Sequence, residues 1–280
     1  MIEKVCVDIG GTNIKAARVI DGVLSSPLLM RKSHGKDGKD AILKSLFSVI
    51  DKLITPDCQG IGISIPGFID HINGVCTFIS DNLKGMSGCP LKEILENRYH
   101  IETNVENDAF CHLNAEYRAR NTNNVTLLTL GTGLGGASII DGKLDRTRKT
   151  NWGYRVIVPG GVYLKGADEY GTAEAYLGLK AINAALEPYQ PQLTIKNLFE
   201  SFLKGDDNAK AILTNYCHYL EMVLDLIQRE INPDVIVIGG GIASNRQIFE
   251  QLIDMKARKC EFALHGNQAG IIGSYYLPIK

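Results

Sequence analysis

The sequence predicts an α/β protein built from two related domains. Short runs rich in β-branched residues alternate with longer amphipathic helical patterns along all 280 residues. A glycine-rich turn between two apolar strands occurs twice, as GGTNIKAARVIDGVL from Gly10 and as GTGLGGASIIDGKL from Gly131. A shift of 120 residues superimposes Thr12 on Thr132, Ala17 on Ala137, Ile20 on Ile140, Asp21 on Asp141 and Gly22 on Gly142. We therefore expect a duplicated unit with a site in the cleft between its two copies.

The predicted elements follow from periodicity and turn residues. The strand-like segments are KVCVDIG, AARVI, GIGISIPG, TNVEND, VTLLTLG, GASII and DVIVIGGG. DAILKSLFSVIDKLI predicts a helix with Ile42, Leu43, Leu46, Phe47, Ile50 and Leu53 on one face. AKAILTNYCHYLEMVLDLIQREI predicts another, with Leu213, Cys217, Leu220, Leu224, Ile227 and Ile231 on its apolar face.

A third helix, FCHLNAEYRARN, leads to the polar NTNN segment just before the second copy of the repeat. We therefore predict domains at residues 1–118 and 119–280, with the last helix free to pack back on the first domain.

Composition indicates an ordinary globular protein, with 45% apolar and 22% charged residues and a net charge of −1. The absence of a basic block argues against a nucleic-acid surface, and no apolar run is long enough for a membrane span or a signal peptide. The seven cysteines are odd in number and scattered, which favours reduced thiols over a disulfide framework or a zinc knuckle. We expect a cytoplasmic protein that binds neither nucleic acid nor membrane.

The first glycine turn, DIGGTNIK, has the composition of a phosphate site. Gly10 and Gly11 allow a close approach of the backbone, and Thr12 adds a hydroxyl beside the turn's N–H groups. Asp8, at the end of a buried strand, could hold Mg²⁺ through a water molecule. The alternative is a plain hairpin turn whose glycines serve geometry alone.

The second turn repeats this chemistry with Gly131, Thr132 and Gly133. It is not a dinucleotide fingerprint, because a strand follows it where that fingerprint requires a helix. Paired with its earlier copy, it predicts a second contact to the phosphates of a nucleotide. A third cluster, Gly239 to Gly241 after a buried strand, could lie against a purine or could be only a tight strand-to-helix turn.

The segment VENDAF supplies a candidate base. Asp108 follows a strand where the chain turns into a helix, so its carboxylate could accept the proton of an attacking hydroxyl. Asn107 could hold a neighbouring hydroxyl. An Asn-Asp helix cap is an equally good interpretation of the same residues.

These motifs resemble, in order and spacing, the ROK family of repressors, open reading frames and kinases. DIGGTNIK, SIPGFID, NVENDAF, GTGLGGASIIDGKL and NPDVIVIGGGIA carry the resemblance, which extends from about residue 4 to the C-terminal GIIGSYYL. It implies two duplicated RNase H-like domains of the actin/hexokinase type. Only seven residues precede Asp8, so we expect a kinase and not a repressor with a leading DNA-binding domain.

The resemblance implies roles at matching positions. Asp8, Gly10, Gly11 and Thr12 would form one phosphate site, Gly131, Thr132 and Gly133 a second, and Gly239 and Gly240 would border the adenosine. Asn107, Asp108 and Glu174 would bind the sugar, with Asp108 as the base acting on its 6-hydroxyl. The implied cofactors are ATP and Mg²⁺, and the implied assembly is a homodimer.

One segment departs from the family pattern. Family members carry GExGH before a CxCGxxGCxE zinc loop, and the matching stretch here is TNWGYRVIVPGGVYLKGADEYGTAE. Tyr154 stands for the histidine and Asn151 for the first glutamate, and no cysteine or histidine occurs between His112 and Cys217. We therefore expect no zinc site, and we expect Tyr154 and Asn151 to alter the contacts around C1 and C2 of the sugar.

Three functions fit this pattern. The first is an ATP-dependent kinase of a hexose or of a hexose-containing glycoside, with a β-glucoside such as cellobiose as its specific version. The second is a non-catalytic module that senses sugar or nucleotide. The third is an ATPase of the actin or chaperone type, which would hydrolyse nucleotide without a sugar acceptor.

Overall fold

A computed structural model describes residues 1–147, 151–165 and 167–278. The chain divides into two compact units, one formed by residues 1–121 with the segment from 265 onward and the other by residues 122–264. The C-terminal segment therefore belongs to the first unit.

The first unit is built on one large sheet and one small one. Its strands are β1 (Glu3–Ile9), β2 (Asn13–Ile20), β3 (Val23–Leu24), β4 (Leu29–Lys32), β5 (Cys58–Ile65), β6 (Phe68–Asp70), β7 (Val75–Phe78), β8 (Cys89–Pro90) and β9 (Thr103–Asn107). The large sheet has the order β3-β2-β1-β5-β9, with β4 also paired to β2. β1 and β2 form an antiparallel hairpin, whereas β1, β5 and β9 run parallel. The order β6-β7-β8 forms the small sheet, which the sequence did not predict.

The second unit repeats this arrangement. Its strands are β10 (Val125–Leu130), β11 (Leu134–Ile140), β12 (Lys143–Leu144), β13 (Val235–Gly239) and β14 (Cys260–Phe262). They pair in the order β12-β11-β10-β13-β14, again as an antiparallel hairpin followed by parallel strands. The predicted α/β class with duplicated units is thus confirmed.

The hairpins agree in their far turns and differ in the glycine turns. Asp21 and Asp141 have φ values of 47° and 51°, and the glycine after each is also in the left-handed region, as a two-residue hairpin turn requires. The first glycine turn inserts four residues between the paired Ile9 and Ile14, whereas the second inserts three between Leu130 and Leu134. The second glycine turn is therefore one residue shorter.

Helices cover the sheets in each unit. The first unit contains α1 (Lys39–Leu53), α2 (Leu91–Tyr99), α3 (Asp108–Arg118) and α9 (Ala269–Tyr275), and the second contains α4 (Glu174–Leu177), α5 (Leu179–Leu186), α6 (Leu198–Leu203), α7 (Asp207–Glu230) and α8 (Arg246–Leu252). Short 3-10 helices span Asp81–Leu83, Trp152–Tyr154, Glu187–Tyr189, Ile242–Ser244 and Gly266–Gln268.

The predicted apolar faces lie in the cores. α1 buries Ile42, Leu43, Leu46, Ile50 and Leu53, as predicted, and α7 buries Leu213, Cys217, Leu220, Leu224 and Ile227. Each unit has its own core of buried aliphatic side chains. All seven cysteines are buried and unpaired.

The C-terminal helix α9 packs closely on the first unit. The side-chain amide of Asn114 on α3 donates to the carbonyl of Gly273, at 3.0 Å. A Cβ at Gly273 would lie 1.7 Å from the carbonyl oxygen of Cys111, so only glycine permits this approach. Within the described ranges, the helices include none of the length and hydropathy that crossing a membrane requires.

Candidate functional site

Hydrogen bonds to its carbonyl groups hold the first glycine turn, and two of its residues are exposed to solvent. The N–H of Gly10 donates to the carbonyl of Asn13 at 2.9 Å and closes the turn. Ser33 donates its N–H to the carbonyl of Thr12 at 3.0 Å and its hydroxyl to that of Gly11 at 2.7 Å. Gly11 and Thr12 are exposed. The turn is therefore fixed by its carbonyls and can offer N–H groups to an anion.

Asp8 lies at the carboxyl end of β1, next to this turn. The hydroxyl of Ser64 on the neighbouring strand donates to Asp8 Oδ1 at 2.8 Å. Lys15 Nζ lies 4.0 Å from Asp8 Oδ2 and donates to the carbonyl of Asn267 at 3.4 Å. Sequence reasoning missed Ser64, because nothing in the segment SIPGFID indicates that its serine contacts Asp8, 56 residues earlier in the chain.

Gly270, in the first turn of α9, packs directly against Asp8. A Cβ on Gly270 would lie 2.6 Å from Asp8 Oδ1 and 3.1 Å from His112 Nε2. A lone carboxylate next to a phosphate-type turn is the usual protein contribution to a Mg²⁺ site, where substrate phosphates and water complete the shell. These residues fit Mg²⁺, which Asp8 would hold through a water molecule.

Asn107 and Asp108 begin α3 at the carboxyl end of β9. Asn107 Oδ1 accepts hydrogen bonds from the N–H groups of Ala109 at 2.9 Å and Phe110 at 3.3 Å, so Asn107 is the helix N-cap. Its Nδ2 donates to the carbonyl of Gly67 at 2.7 Å. The structure thus gives Asn107 the capping role that the sequence allowed, and its contact to a sugar stays a prediction.

Asp108 is half-buried, and its electrostatic surroundings are unusual for a carboxyl group. Burial raises its pKa, and the negative charge of Asp8 raises it further. The proximity of His112 and the N–H of Ala109, at 2.9 Å from Oδ1, lower it in part. A carboxylate with a raised pKa is a better proton acceptor than one on the surface.

In the second unit, the turn of Gly131 to Gly133 lies against Glu174. The N–H of Leu134 donates to Glu174 Oε2 at 3.3 Å, and a Cβ on Gly133 would meet the same carboxylate at 2.7 Å. Thr132 is exposed, and its carbonyl accepts the N–H of Leu179 at the start of α5, at 3.1 Å. The structure therefore brings together the predicted phosphate turn and the predicted sugar-binding glutamate.

Tyr154 lies near Glu174. Burial raises the pKa of the Tyr154 hydroxyl, and the charges of Glu174 and Asp168 raise it further. Burial also raises the pKa of Glu174. Tyr154 is 52% exposed. Asn151 begins the 3-10 helix that carries Tyr154, without a side-chain capping bond.

The third glycine cluster lies at the carboxyl end of β13, beside the second turn. Gly239 pairs with Thr129, two residues before Gly131. Gly240 has a φ of 93°, and a Cβ there would lie 2.3 Å from the carbonyl oxygen of Leu130. Gly240 therefore packs directly on the strand that leads into the second turn.

Backbone hydrogen bonds close the segment that stands where family members have their zinc loop. The N–H groups of Ile157 and Val158 donate to the carbonyl of Gly171 at 2.9 and 3.1 Å, and Gly171 donates to Val162 at 2.9 Å. The rings of Tyr163 and Tyr170 pack with centroids 4.9 Å apart. Thr150 and Gly166 of this stretch lie outside the described residues.

In the ranges that the structure describes, histidine, cysteine, aspartate and glutamate form no metal-binding group of three or more. Trp152, the only tryptophan, is fully buried, so it packs in the core of the second unit and does not line a binding site.

Comparisons with known proteins agree with these features. The model of the ROK family matches residues 4–280. The chain is 28% identical to an N-acetyl-D-glucosamine kinase of Escherichia coli, over 97% of this chain and 98% of that protein. Among solved structures, it is similar to Lmo2764 of Listeria monocytogenes, a putative N-acetylmannosamine kinase, with a TM-score of 0.83, 26% identity and 98% of each chain covered. A ROK hexokinase of Thermus thermophilus has the same fold, with a TM-score of 0.80 at 24% identity over 98% of this chain and 96% of that one.

Proposed function

The chain belongs to the ROK family, and from that premise we propose that it is an ATP-dependent sugar kinase acting on the 6-hydroxyl of a hexose or a hexose-containing glycoside. The observation that carries the proposal is the carboxylate of Asp108. It is half-buried, burial raises its pKa, and it interacts with Asp8 beside an open glycine turn. A positioned base next to a phosphate-type turn is what phosphoryl transfer to an alcohol requires.

In the proposed reaction, the sugar hydroxyl oxygen attacks the terminal phosphorus of ATP. A new oxygen–phosphorus bond forms, the bond to the bridging oxygen breaks, and its electron pair leaves with ADP. Asp108 accepts the hydroxyl proton. A base of this kind contributes roughly 10²- to 10⁴-fold to the rate.

The first unit would hold phosphate oxygens with the N–H groups of Gly11 and Thr12, while the N–H of Gly10 closes the turn and the contacts of Ser33 fix it in place. Mg²⁺, associated with Asp8, would neutralise phosphate charge when bound. In the second unit, Gly131, Thr132 and Gly133 would contact the phosphates, and Gly239 and Gly240 would border the adenosine.

Asn107, Glu174, Tyr154 and Asn151 are the proposed contacts to the sugar. The proximity of Tyr154 to Glu174 supports a role for both in one subsite. Two of the similar proteins are named as kinases of N-acetylhexosamines, so these sugars are the first acceptors to test. The exposed ring of Tyr154 also leaves room for the glycoside version of the proposal.

The test is Mg·ATP-dependent release of ADP with a panel of acceptors. The panel contains N-acetylglucosamine, N-acetylmannosamine, glucose, mannose, fructose, cellobiose and simple β-glucosides. We expect turnover with one acceptor class, and loss of at least about 10²-fold in Asp108→Asn. Asp207→Asn is the matched control, because that side chain is fully exposed at the start of α7.

Each alternative function has its own outcome. ADP release that needs no sugar would indicate an ATPase and refute the kinase. Binding of ATP or sugar without turnover on any acceptor would indicate the sensing module.

A further inference from the structure

We propose that His112 is a further catalytic residue, which donates a hydrogen bond from Nε2 to an oxygen of the transferring phosphoryl group. This inference rests on the proposed kinase function and deepens it. It concerns only residues of the first unit.

The position of His112 on α3 places it on the same side of the helix as the base. His112 follows Asp108 by four residues, which is about one helical turn, so the two side chains project from one face. His112 is close enough to Asp108 to lower the pKa of that carboxyl in part, against the larger effect of burial. His112 therefore borders the position where the acceptor hydroxyl would lose its proton.

The close packing at Gly270 brings His112 next to Asp8, on the proposed phosphate side of the site. The point where a Cβ of Gly270 would stand is 2.6 Å from Asp8 Oδ1 and 3.1 Å from His112 Nε2. Asp8 and His112 thus both pack against the backbone of Gly270, so Asp8 Oδ1 and His112 Nε2 lie close together. A group bound beside Asp8 would be within reach of Nε2.

The ring nitrogens of His112 are available for such a contact. Among the described residues, no protein group forms a hydrogen bond with them, although the side chain is half-buried. Two other histidines are already engaged, because His34 Nδ1 lies 2.9 Å from Asp37 and His265 Nδ1 lies 3.2 Å from Glu116. The ring of His112 can therefore bind a ligand without first breaking a hydrogen bond to a described protein group.

Phosphoryl transfer at this position requires a hydrogen-bond donor such as His112 Nε2. The phosphoryl group carries negative charge on its equatorial oxygens and would enter beside Asp8 and Asp108. Near these carboxylates, Lys15 Nζ lies 4.0 Å from Asp8 Oδ2, and His112 is close to both carboxylates. His112 keeps its proton throughout, because the proton of the acceptor goes to Asp108. A neutral and a protonated imidazole both provide an N–H donor.

Steady-state kinetics of His112→Ala and His112→Gln test the proposal, with His218→Ala as the control. His218 is an exposed histidine on α7 of the second unit. We expect His112→Ala to lower kcat about 10²-fold, with both KM values within about twofold of the wild type. Glutamine can place an amide N–H near the position of Nε2, so His112→Gln should recover most of the lost kcat.

A second measurement separates transition-state binding from folding. ADP with aluminium fluoride mimics the transferring phosphoryl group, and we expect its inhibition constant to rise in His112→Ala by about the same factor as kcat falls. The inhibition constant of ADP alone should stay unchanged. A kcat of His112→Ala within twofold of the wild type overturns the proposal, as does a His112→Gln variant that is no more active than His112→Ala.

Activity of the wild type and of Asp108→Asn distinguishes failure of the His112 proposal from failure of the proposed kinase function. Sugar-dependent ADP release that Asp108→Asn abolishes, together with an active His112→Ala, removes only the role of His112. Absence of sugar-dependent ADP release in the wild type overturns both proposals.

Discussion

Three glycines around the second turn would meet different neighbours if each gained a methyl group. A Cβ on Gly131 has nothing within 4 Å, one on Gly133 would lie 2.7 Å from the Glu174 carboxylate, and one on Gly153 would lie 2.1 Å from the Leu134 carbonyl oxygen. None of the three glycines has a positive φ, so alanine fits each backbone conformation. The three alanine variants should therefore differ in stability according to what the added methyl group meets.

The expected free energies follow from what can move. Gly131→Ala meets open space and should stabilise the protein by about 0.4–1 kcal/mol, because alanine restricts the unfolded chain. In Gly133→Ala the end of the flexible Glu174 side chain moves away and loses its hydrogen bond from the Leu134 N–H, which is worth roughly 0.5–1.5 kcal/mol. This loss is offset by the restriction of the unfolded chain, so the net change in stability should be near zero. In Gly153→Ala the obstacle is backbone, so we expect destabilisation of about 1–3 kcal/mol or more.

Urea unfolding of the three variants measures this order directly. For a unit of this size, the loss in Gly153→Ala corresponds to a decrease of roughly 2–12 °C in Tm. Gly133→Ala should in addition raise the KM for the sugar, because it displaces Glu174. A Gly153→Ala variant as stable as the wild type, or Gly131→Ala as the least stable of the three, would refute this reasoning.

Two further predictions concern protonation and metal removal. Because burial raises the pKa of Asp108, its ionised form destabilises the folded protein, so Asp108→Asn should raise Tm at about pH 7. The gain should vanish below about pH 4, where the aspartate is protonated in both the folded and the unfolded protein. A difference in Tm that is constant with pH would contradict this, as would a kcat/KM whose acid limb lies in the ordinary aspartate range. Incubation with EDTA in the absence of nucleotide should leave Tm unchanged. The reason is that backbone hydrogen bonds from Ile157, Val158 and Gly171 close the segment that stands where family members have their zinc loop. A decrease in Tm on chelation would show that a metal holds the protein.

Local patterns made much of the fold predictable. The β-branched runs became β1, β5, β10 and β13, and the apolar faces of α1 and α7 lie in the cores as their periodicity predicts. The small sheet β6-β7-β8 escaped prediction because its strands are two to four residues long and carry exposed aromatic residues. Segments this short contain too few positions to show an alternating pattern.

The contacts that shape the site depend on residues far apart in the chain. Asp8 and Gly270 meet only because α9 returns to the first unit, and no local signal in the sequence specifies that approach. Glu174 meets the N–H of Leu134, 40 residues earlier, in the same way. Motifs therefore identified Asp108 and the glycine turns as candidates, and helical spacing put His112 near Asp108, whereas the neighbours Ser64 and Gly270 required the tertiary structure.

The duplication shows how one scaffold carries two kinds of chemistry. Asp8 is the second-last residue of β1, and it pairs with Ser64 on the neighbouring parallel strand. Thr129 is the second-last residue of β10, the equivalent strand of the second unit, and it pairs with Gly239. The first unit thus places a carboxylate and a hydroxyl where the second has a neutral side chain and a bare backbone. Charged groups suit a metal ion and proton transfer, whereas glycine suits the close approach of a flat or bulky group. The division of roles that we propose, with the base and Mg²⁺ in the first unit and the adenosine in the second, follows from this difference at equivalent positions.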